Sequence, residues 1–140
     1  MKFPRPGRPV RGSKTGRPIM ALLDLLGRRM SLRVLWELSQ AGQSLTFRAL
    51  QAAADTNPSL LNTRLKELRA AGIVLRDARG YRLSEEGTAL LALLLPLHQW
   101  AEAWGRKARR HAKTRQDREE RVMAACRGRR REARAAPQAL

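Results

Sequence analysis

The dipeptide Asn57-Pro58 limits the possible folds of this chain more than any other local feature. Asparagine is favoured just before the first turn of a helix. Proline is tolerated at the first helical position, where a backbone N–H would have no partner anyway. A helix is therefore predicted to begin at Pro58. A second helical pattern, from Phe47 to Ala54 with Thr46 as its cap, ends only a few residues earlier. The sequence predicts two helices joined by a tight turn.

The helix that begins at Pro58 is predicted to run to Ala71, because Gly72 follows as a stop signal. Its residues sort into two faces at helical spacing. The apolar face consists of Leu61, Leu65 and Leu68, and the polar face of Ser59, Asn62, Thr63, Lys66 and Arg69. A polar face is often only solvated surface, but the tight turn before this helix favours a binding role.

Two shorter helices are predicted before this pair. The first runs from Ile19 to Leu26 and ends at Gly27. The second is predicted to have Ser31 as its cap and to end at Gly42. Its inward face is predicted to consist of Leu32, Leu35, Trp36 and Ser39.

A β-hairpin and a long helix are predicted after the Pro58 helix. Two short strands, 73–75 and 81–83, are predicted on either side of a turn that ends in Gly80, which is typical of a hairpin. Ser84 then opens a leucine-rich helix that is predicted to continue to Trp104. The hairpin carries three basic residues, Arg76, Arg79 and Arg82.

Three helices followed by a hairpin and a long helix form a winged helix-turn-helix, a mainly α fold with a small β-hairpin wing. In this fold the helix after the tight turn enters the major groove of DNA. Hydroxyl, amide and ammonium groups can bond to base edges or phosphates, so the polar face of the Pro58 helix is the predicted DNA-binding surface. The wing arginines would follow the DNA backbone or probe the minor groove.

The long helix is apolar around much of its circumference, more than one small domain can cover. The residues concerned are Leu90, Leu91, Leu93, Leu94, Leu95, Leu97, Trp100 and Trp104. This favours a partner surface, although the same residues could pack within their own domain. Some of the apolar residues could instead line a pocket for a small-molecule effector, namely Met20, Met30, Trp36, Trp100 and Trp104.

The formal net charge of +17 is distributed unevenly along the chain, which can be divided into three parts by charge. Residues 1–18 hold six basic residues and no acid, giving +6, and are predicted to be a flexible basic arm. Residues 19–104 hold ten basic and eight acidic residues, giving +2, and form the predicted domain. Residues 105–140 hold thirteen and four, giving +9, and are predicted to be a tail that is partly helical or disordered, with disorder at 127–131. Both ends could contact phosphates of DNA or RNA, or an anionic membrane.

Several function classes are disfavoured by what the sequence lacks. One cysteine, Cys126, and two histidines without metal-ligand spacing predict no metal site, and no cofactor is expected. No nucleophile, base and acid cluster together and no phosphate-binding glycine loop occurs, so an enzyme is not expected. The apolar stretch 89–97 is too short to span a bilayer, and no secretory signal follows Met1. We expect a cytoplasmic protein, near the nucleoid, that does not bind a membrane.

The chain also resembles the HxlR family of bacterial winged-helix transcriptional regulators, relatives of MarR. The resemblance covers roughly residues 17–104. It rests on Leu23-Asp24-Leu25-Leu26-Gly27, Leu35-Trp36-Glu37-Leu38, Phe47, Leu50, Asn57-Pro58, Leu61, Arg64-Leu65-Lys66-Glu67-Leu68, Gly72-Ile73-Val74 and Leu83-Ser84-Glu85-Glu86-Gly87.

The resemblance implies a homodimer held by the first and last helices, with two recognition helices that read a palindromic operator. The interface would then include Leu22, Leu23, Leu26, Leu91, Leu94, Leu97, Trp100 and Trp104. The chain departs from the family where many members have Cys-Pro before the first helix, because Arg17-Pro18 stands there. Met30 likewise stands where the family usually has tryptophan.

The sequence as a whole predicts a homodimeric, sequence-specific regulator of transcription, most simply a repressor, that binds double-stranded DNA. The alternative is a protein-interaction or nucleic-acid-coating module that uses the winged fold for dimerisation and does not read sequence. Affinity for a chosen operator relative to scrambled DNA separates the two.

Overall fold

The structure is a computed structural model that describes residues 3–135, with side chains through residue 131. Five helices and one hairpin follow one another along this part of the chain. They are α1 (Pro18–Leu26), α2 (Ser31–Ala41), α3 (Phe47–Ala54), α4 (Pro58–Ala70), β1 (Val74–Asp77), β2 (Gly80–Leu83) and α5 (Glu85–Ala135). This order confirms the predicted winged helix-turn-helix, mainly α with a two-stranded wing.

Twelve buried side chains from α1 to β2 form one apolar core. They are Leu25, Leu26, Val34, Leu35, Leu38, Leu50, Leu61, Leu65, Leu68, Ile73, Val74 and Tyr81. The three leucines predicted for the inner face of α4 all lie in this cluster. Burial of each such side chain contributes roughly 1.5–3 kcal/mol, so the packed leucines hold α4 against α2 and the wing.

The start of α2 differs from the prediction. Ser31 is not its cap: Met30 occupies that position with a left-handed backbone (φ 71°), and Ser31 is the first residue of the helix. The reason is the tight connection from α1, in which the Ser31 N–H donates to the carbonyl of Arg28 at 3.0 Å. This connection turns the Ser31 side chain inward, where it is fully buried.

The buried face of α2 also differs from the predicted one. Ser31, Val34, Leu35 and Leu38 are buried, whereas Leu32 and Trp36 are exposed. The observed set has the spacing i, i+3, i+4 and i+7, which is the spacing of one helical face. Only Leu35 belongs to both sets, so the predicted face is rotated around the helix relative to the observed one.

The hairpin is extended by a third short stretch of chain. β1 and β2 pair antiparallel, with Val74 opposite Leu83 and Asp77 opposite Gly80. Leu45 exchanges both backbone hydrogen bonds with Tyr81, at 2.8 and 2.7 Å. Gly80 has a φ of +134°, and a Cβ there would strike the backbone of Leu45, so only glycine fits at this point.

The basic segment before α1 is folded, whereas the sequence predicts a flexible arm over residues 1–18. The Gly7 N–H donates to the carbonyl of Gly16 at 2.8 Å, and Val10 and Ser13 exchange backbone hydrogen bonds. Three glycines, Gly7, Gly12 and Gly16, adopt positive φ and let the chain reverse without a core of its own. Residues 1 and 2 of the predicted arm lie outside the described residues.

Helix α5 is longer than predicted. It does not end at Trp104 but continues to Ala135, through the stretch 127–131 for which the sequence predicts disorder. Arginine, alanine, lysine and glutamate are strong helix formers, and they outweigh single glycines such as Gly128. The remainder of the predicted tail, residues 136–140, lies outside the described residues.

By its contacts the chain separates into two compact units, Met1–Leu95 and Pro96–Leu140. The first holds the winged helix-turn-helix and the beginning of α5. The second begins at Pro96, which lies inside α5 and has no N–H to donate to the preceding turn. The predicted boundary between domain and tail at residues 104 and 105 remains a prediction.

Candidate nucleic-acid interface

The turn between α3 and α4 is fixed at both helix starts by side-chain caps. Thr46 Oγ1 accepts a hydrogen bond from the Ala49 N–H at 3.2 Å, and Asn57 Oδ1 accepts one from the Leu60 N–H at 2.8 Å. Asp55, between the helices, adopts a left-handed backbone with φ 49°. Both predicted caps are thereby confirmed, and α4 is held in a fixed position after a turn of three residues.

The predicted DNA-binding residues of α4 lie on its outer face. Ser59, Asn62, Lys66 and Arg69 are exposed, while Thr63 is partly buried. The Thr63 hydroxyl donates to the carbonyl of Ser59 at 3.0 Å, so its proton is already used within the helix. The structure therefore offers four side chains of α4 to a ligand, and Thr63 chiefly as an acceptor.

The three arginines of the wing have different surroundings. The Arg82 guanidinium donates to Asp77 at 3.1 Å, and that of Arg76 lies over the Tyr81 ring at 5.5 Å from its centre. Arg79 lies at the tip of the hairpin and is exposed. Within the part of the chain that the structure describes, no acidic side chain pairs with Arg79. Arg79 is the wing cation most available to an anionic ligand.

Asp77 organises the wing. Its carboxylate accepts hydrogen bonds from the Ser44 hydroxyl and the Arg79 N–H, both at 2.8 Å, and from the Gly80 N–H at 3.1 Å. The Ser44 hydrogen bond and the others hold the pKa of the Asp77 carboxyl below its usual range. The ionised carboxylate thus closes the turn and ties it to the chain before α3.

A buried carboxylate anchors the inner side of α4. Glu67 is only 2% exposed and forms ion pairs with Arg64, one turn earlier in the same helix, and with Arg28 at 2.7 Å. Arg64 also donates to the carbonyl of Arg29 at 2.8 Å. This cluster fixes α4 against the connection between α1 and α2. It is not foreseen from the sequence, because Arg28 lies 39 residues from Glu67 and only the Arg64–Glu67 spacing is a local signal.

The residues predicted for a dimer interface fall into two groups. Leu26 is buried in the core, and Leu22, Leu91 and Leu94 are partly buried against it. Leu23 in the first unit, and Leu97, Trp100 and Trp104 in the second, are more than half exposed. The two tryptophan rings stack in parallel at 6.1 Å. The exposed group is thus the part of the prediction that a second copy could contact.

Among the described residues, no group of three or more metal-ligating side chains comes together. None of their helices is long and apolar enough to cross a membrane.

The chain matches a known protein family over more than half of its length. The model of the HxlR-like helix-turn-helix family matches residues 25–109, which include α2 to β2 and the first half of α5. The chain belongs to the HxlR family.

Two relatives named as HTH-type transcriptional regulators are consistent with this assignment. The uncharacterised HTH-type transcriptional regulator sll1512 of Synechocystis sp. is 31% identical over 94 residues, 62% of this chain and 69% of the relative. YvaP of Bacillus subtilis, also an uncharacterised HTH-type regulator, is 30% identical over 90 residues, 59% of this chain and 82% of YvaP.

Quinone-bound YodB of B. subtilis superposes with a TM-score of 0.57 at 29% identity, over 61% of this chain and 96% of YodB. A possible HxlR family transcriptional factor of Thermoplasma volcanium superposes with a TM-score of 0.56 at 25% identity, over 64% and 85%.

As an HxlR family member, the chain is a transcriptional regulator with a helix-turn-helix DNA-binding fold. In this fold α4 is the second helix of the helix-turn-helix, and the predicted DNA-binding residues lie on its outer face. The family match ends at residue 109, so the rest of α5 lies beyond it.

Proposed function

We propose that this HxlR protein is a homodimeric repressor that reads duplex DNA through the outer face of α4. The observation that carries the proposal is that α4, capped by Asn57 and anchored by Glu67, presents four exposed polar side chains. A rigid helix with polar groups at helical spacing is suited to base edges in the major groove, which is wide enough to admit it.

Each exposed side chain of α4 has a chemistry that suits DNA. The Asn62 amide can form two hydrogen bonds to adenine, and the Lys66 ammonium can donate to guanine. Ser59, near the start of the helix, and Arg69 can bind phosphates and set the register. Asn62 and Lys66 are therefore proposed to carry specificity.

The wing is proposed to contact the DNA backbone mainly through Arg79. Arg82 is neutralised by Asp77, which lowers its value to a phosphate. Arg76 remains charged but is held over Tyr81. A wing with one available cation adds affinity without reading sequence.

The homodimer is proposed because exposed apolar residues of α5 need a cover. Leu93, Leu97, Trp100 and Trp104 are each more than half exposed, and isolated chains rarely leave so many large apolar side chains in water. A second copy provides a matching surface through two-fold symmetry. Two copies also place two recognition helices on one palindromic site.

A repressor is the simplest regulator with this construction. A dimer that occupies an operator can block transcription by excluding the polymerase, and needs no further contact. A DNA-bound regulator of this kind would act in the cytoplasm, at the nucleoid.

The test uses the duplex site that the unmodified protein selects from a random pool. Asn62→Ala combined with Lys66→Ala should reduce the ratio of affinities for this site and for scrambled DNA by tenfold or more, since each good base contact contributes about 1–3 kcal/mol of discrimination. Arg79→Ala is the control: it should weaken both affinities alike. An unchanged ratio in the double variant would refute reading by α4.

A small-molecule effector is a further part of the proposal, supported by the quinone bound to YodB. In this chain, residues Phe3–Pro6, α1 and the end of α4 line a cavity of about 570 Å³, together with Ile73. None of the five residues that the sequence suggested for an effector pocket lines it. A quinone of fitting size should weaken DNA binding. Ala71→Trp, which fills the cavity, should abolish the response. Failure of a quinone series to change DNA affinity would exclude this class of effector.

A further inference from the structure

We propose that one side of α5 is a second DNA-contacting surface, which binds phosphates without reading sequence. This surface, the basic face, consists of Arg106, Arg109, Arg110 and Lys113. The inference does not depend on sequence reading by α4, because phosphate binding requires no base contact.

The four side chains share one face of the helix. They follow one another at the spacing i, i+3, i+4 and i+7, and together they line a single shallow depression of the surface. All four are exposed. None of them forms an ion pair with any other residue that the structure describes, although Arg115 pairs with Glu119 further along α5.

The local charge is unbalanced. Residues 105–116 contain six basic residues and no acid, and they span about 18 Å of helix at a rise of about 1.5 Å per residue. Like charges three and four positions apart repel and weaken a helix. A polyanion relieves this repulsion, so binding and helix stability in this segment should rise together.

The surrounding residues favour duplex phosphate over other anions. The exposed tryptophans before the basic face, Trp100 and Trp104, belong to the proposed dimer interface. Between residues 105 and 121 there is no large apolar side chain that could enter a bilayer, as an interfacial helix requires. Between residues 105 and 135 there is no phenylalanine, tyrosine or tryptophan on which an unpaired base could stack. The phosphate backbone of double-stranded DNA needs neither.

The basic face straddles the end of the family match: Arg106 and Arg109 lie within residues 25–109. Its second half, Arg110 and Lys113, lies after residue 109, where the match to the family model ends. Helix α5 nevertheless continues to Ala135. The extension therefore supplies the second half of the basic face.

The experiment measures how salt weakens binding of the full-length protein to a scrambled 20-base-pair duplex. In the face variant, Arg106, Arg109, Arg110 and Lys113 are all changed to Gln. In the matched control, Lys107, Arg115, Arg118 and Arg129 are changed to Gln. The control removes the same charge from the same helix, but outside the basic face, and glutamine keeps helix propensity in both.

The face variant should show a shallower dependence of log affinity on log salt, by about 0.9 for each phosphate that is no longer neutralised and so up to about 3.6 per chain. The control should change the slope by less than about 1. Hydrogen exchange should show that DNA protects amides 106–116 in the unmodified protein and not in the face variant.

Equal reductions of the slope in both variants would show a diffuse charge effect and overturn the proposal, as would an unchanged slope in the face variant. Binding to polyglutamate is measured in parallel. If the face variant no longer binds polyglutamate but keeps the same salt slope on DNA, the surface binds an acidic protein instead. The ratio of operator to scrambled affinity should stay the same in the face variant. Failure of α4 to read sequence would appear in that ratio and not in the slope.

Discussion

At the scale of single residues, the Glu67 cluster ties α4, the helix proposed to read DNA, to the connection between α1 and α2. Glu67→Ala leaves Arg64 and Arg28 without their carboxylate partner. Losing one member of a fully buried pair costs about 3–5 kcal/mol. We expect about 2–3 kcal/mol here, because the Arg28 side chain is 29% exposed and water can compensate in part. Urea unfolding measures this loss.

The control for Glu67 is Glu37, which pairs with Arg33 on the surface of α2 at 2.8 Å. The Arg33 side chain is 54% exposed and that of Glu37 is 19% exposed, against 2% for Glu67. Solvent-accessible i,i+4 pairs contribute about 0–1 kcal/mol, so Glu37→Ala should change stability far less than Glu67→Ala. Equal losses for the two variants would mean that the buried cluster does not anchor α4.

The stability of the wing turn is expected to depend on pH through Asp77. Its hydrogen bonds favour the ionised form, so the pKa of its carboxyl lies below its usual range. The stabilisation is therefore complete above the unfolded pKa of about 3.9 and is lost as the pH falls through the lower, folded pKa. NMR shifts of the Arg79 and Gly80 amide protons should report this transition. They should move at a lower pH than in an unfolded peptide of the same turn.

Asp77→Asn is the matching control for this titration. It keeps the shape of the side chain but removes the ionisable group, so the transition of the two amides in acid should disappear. Persistence of the same transition in the variant would assign it to another carboxyl.

At the scale of elements, the caps of α3 and α4 define the helix-turn-helix. Asn57→Ala removes the acceptor for the Leu60 N–H and should destabilise the protein by about 1 kcal/mol. Asn57→Asp keeps an acceptor and should retain most of the stability. Thermal unfolding of both variants separates the cap from other effects of the substitution, and a similar loss in both would argue against the cap.

The elements that the sequence predicts well are those with local signals. Thr46 and Asn57-Pro58 mark helix starts by their own chemistry, and Gly80 marks the hairpin, so α3, α4 and the wing are found where they are predicted. The inner face of α2 depends on how Met30 turns the chain, which helical spacing alone does not reveal.

For the candidate site, the sequence predicts the exposed residues of α4 but not the ion pairs that hold the site in place. Exposed polar residues of α4 follow from helical spacing, but the pairing of Arg82 with Asp77 depends on the folded turn. The Arg28–Glu67 contact joins residues that are distant in sequence and carries no local signal. Charge composition separated residues 105–140 from the domain, yet it did not distinguish a disordered tail from the long helix that is present.

At the scale of the whole molecule, the proposed dimer has its own test. Sedimentation should give twice the 15.8 kDa of one chain. Trp100→Ala with Trp104→Ala should raise the dissociation constant of the dimer at least tenfold, or about 1.4 kcal/mol, since large buried aromatics dominate such interfaces. Val122→Ala with Met123→Ala removes exposed apolar groups outside the predicted interface and should leave it unchanged. A monomeric unmodified protein would contradict the homodimer.

The central claim is that this HxlR protein reads DNA sequence. Selection of duplexes from a fully randomised pool by the full-length protein, at physiological salt, tests it most directly. We predict enrichment of an inverted repeat whose half-sites lie about one helical turn apart, because two copies of α4 would each read one half-site. Recovery of an unenriched pool, despite measurable binding, would contradict the claim and indicate a protein that coats DNA through charge alone.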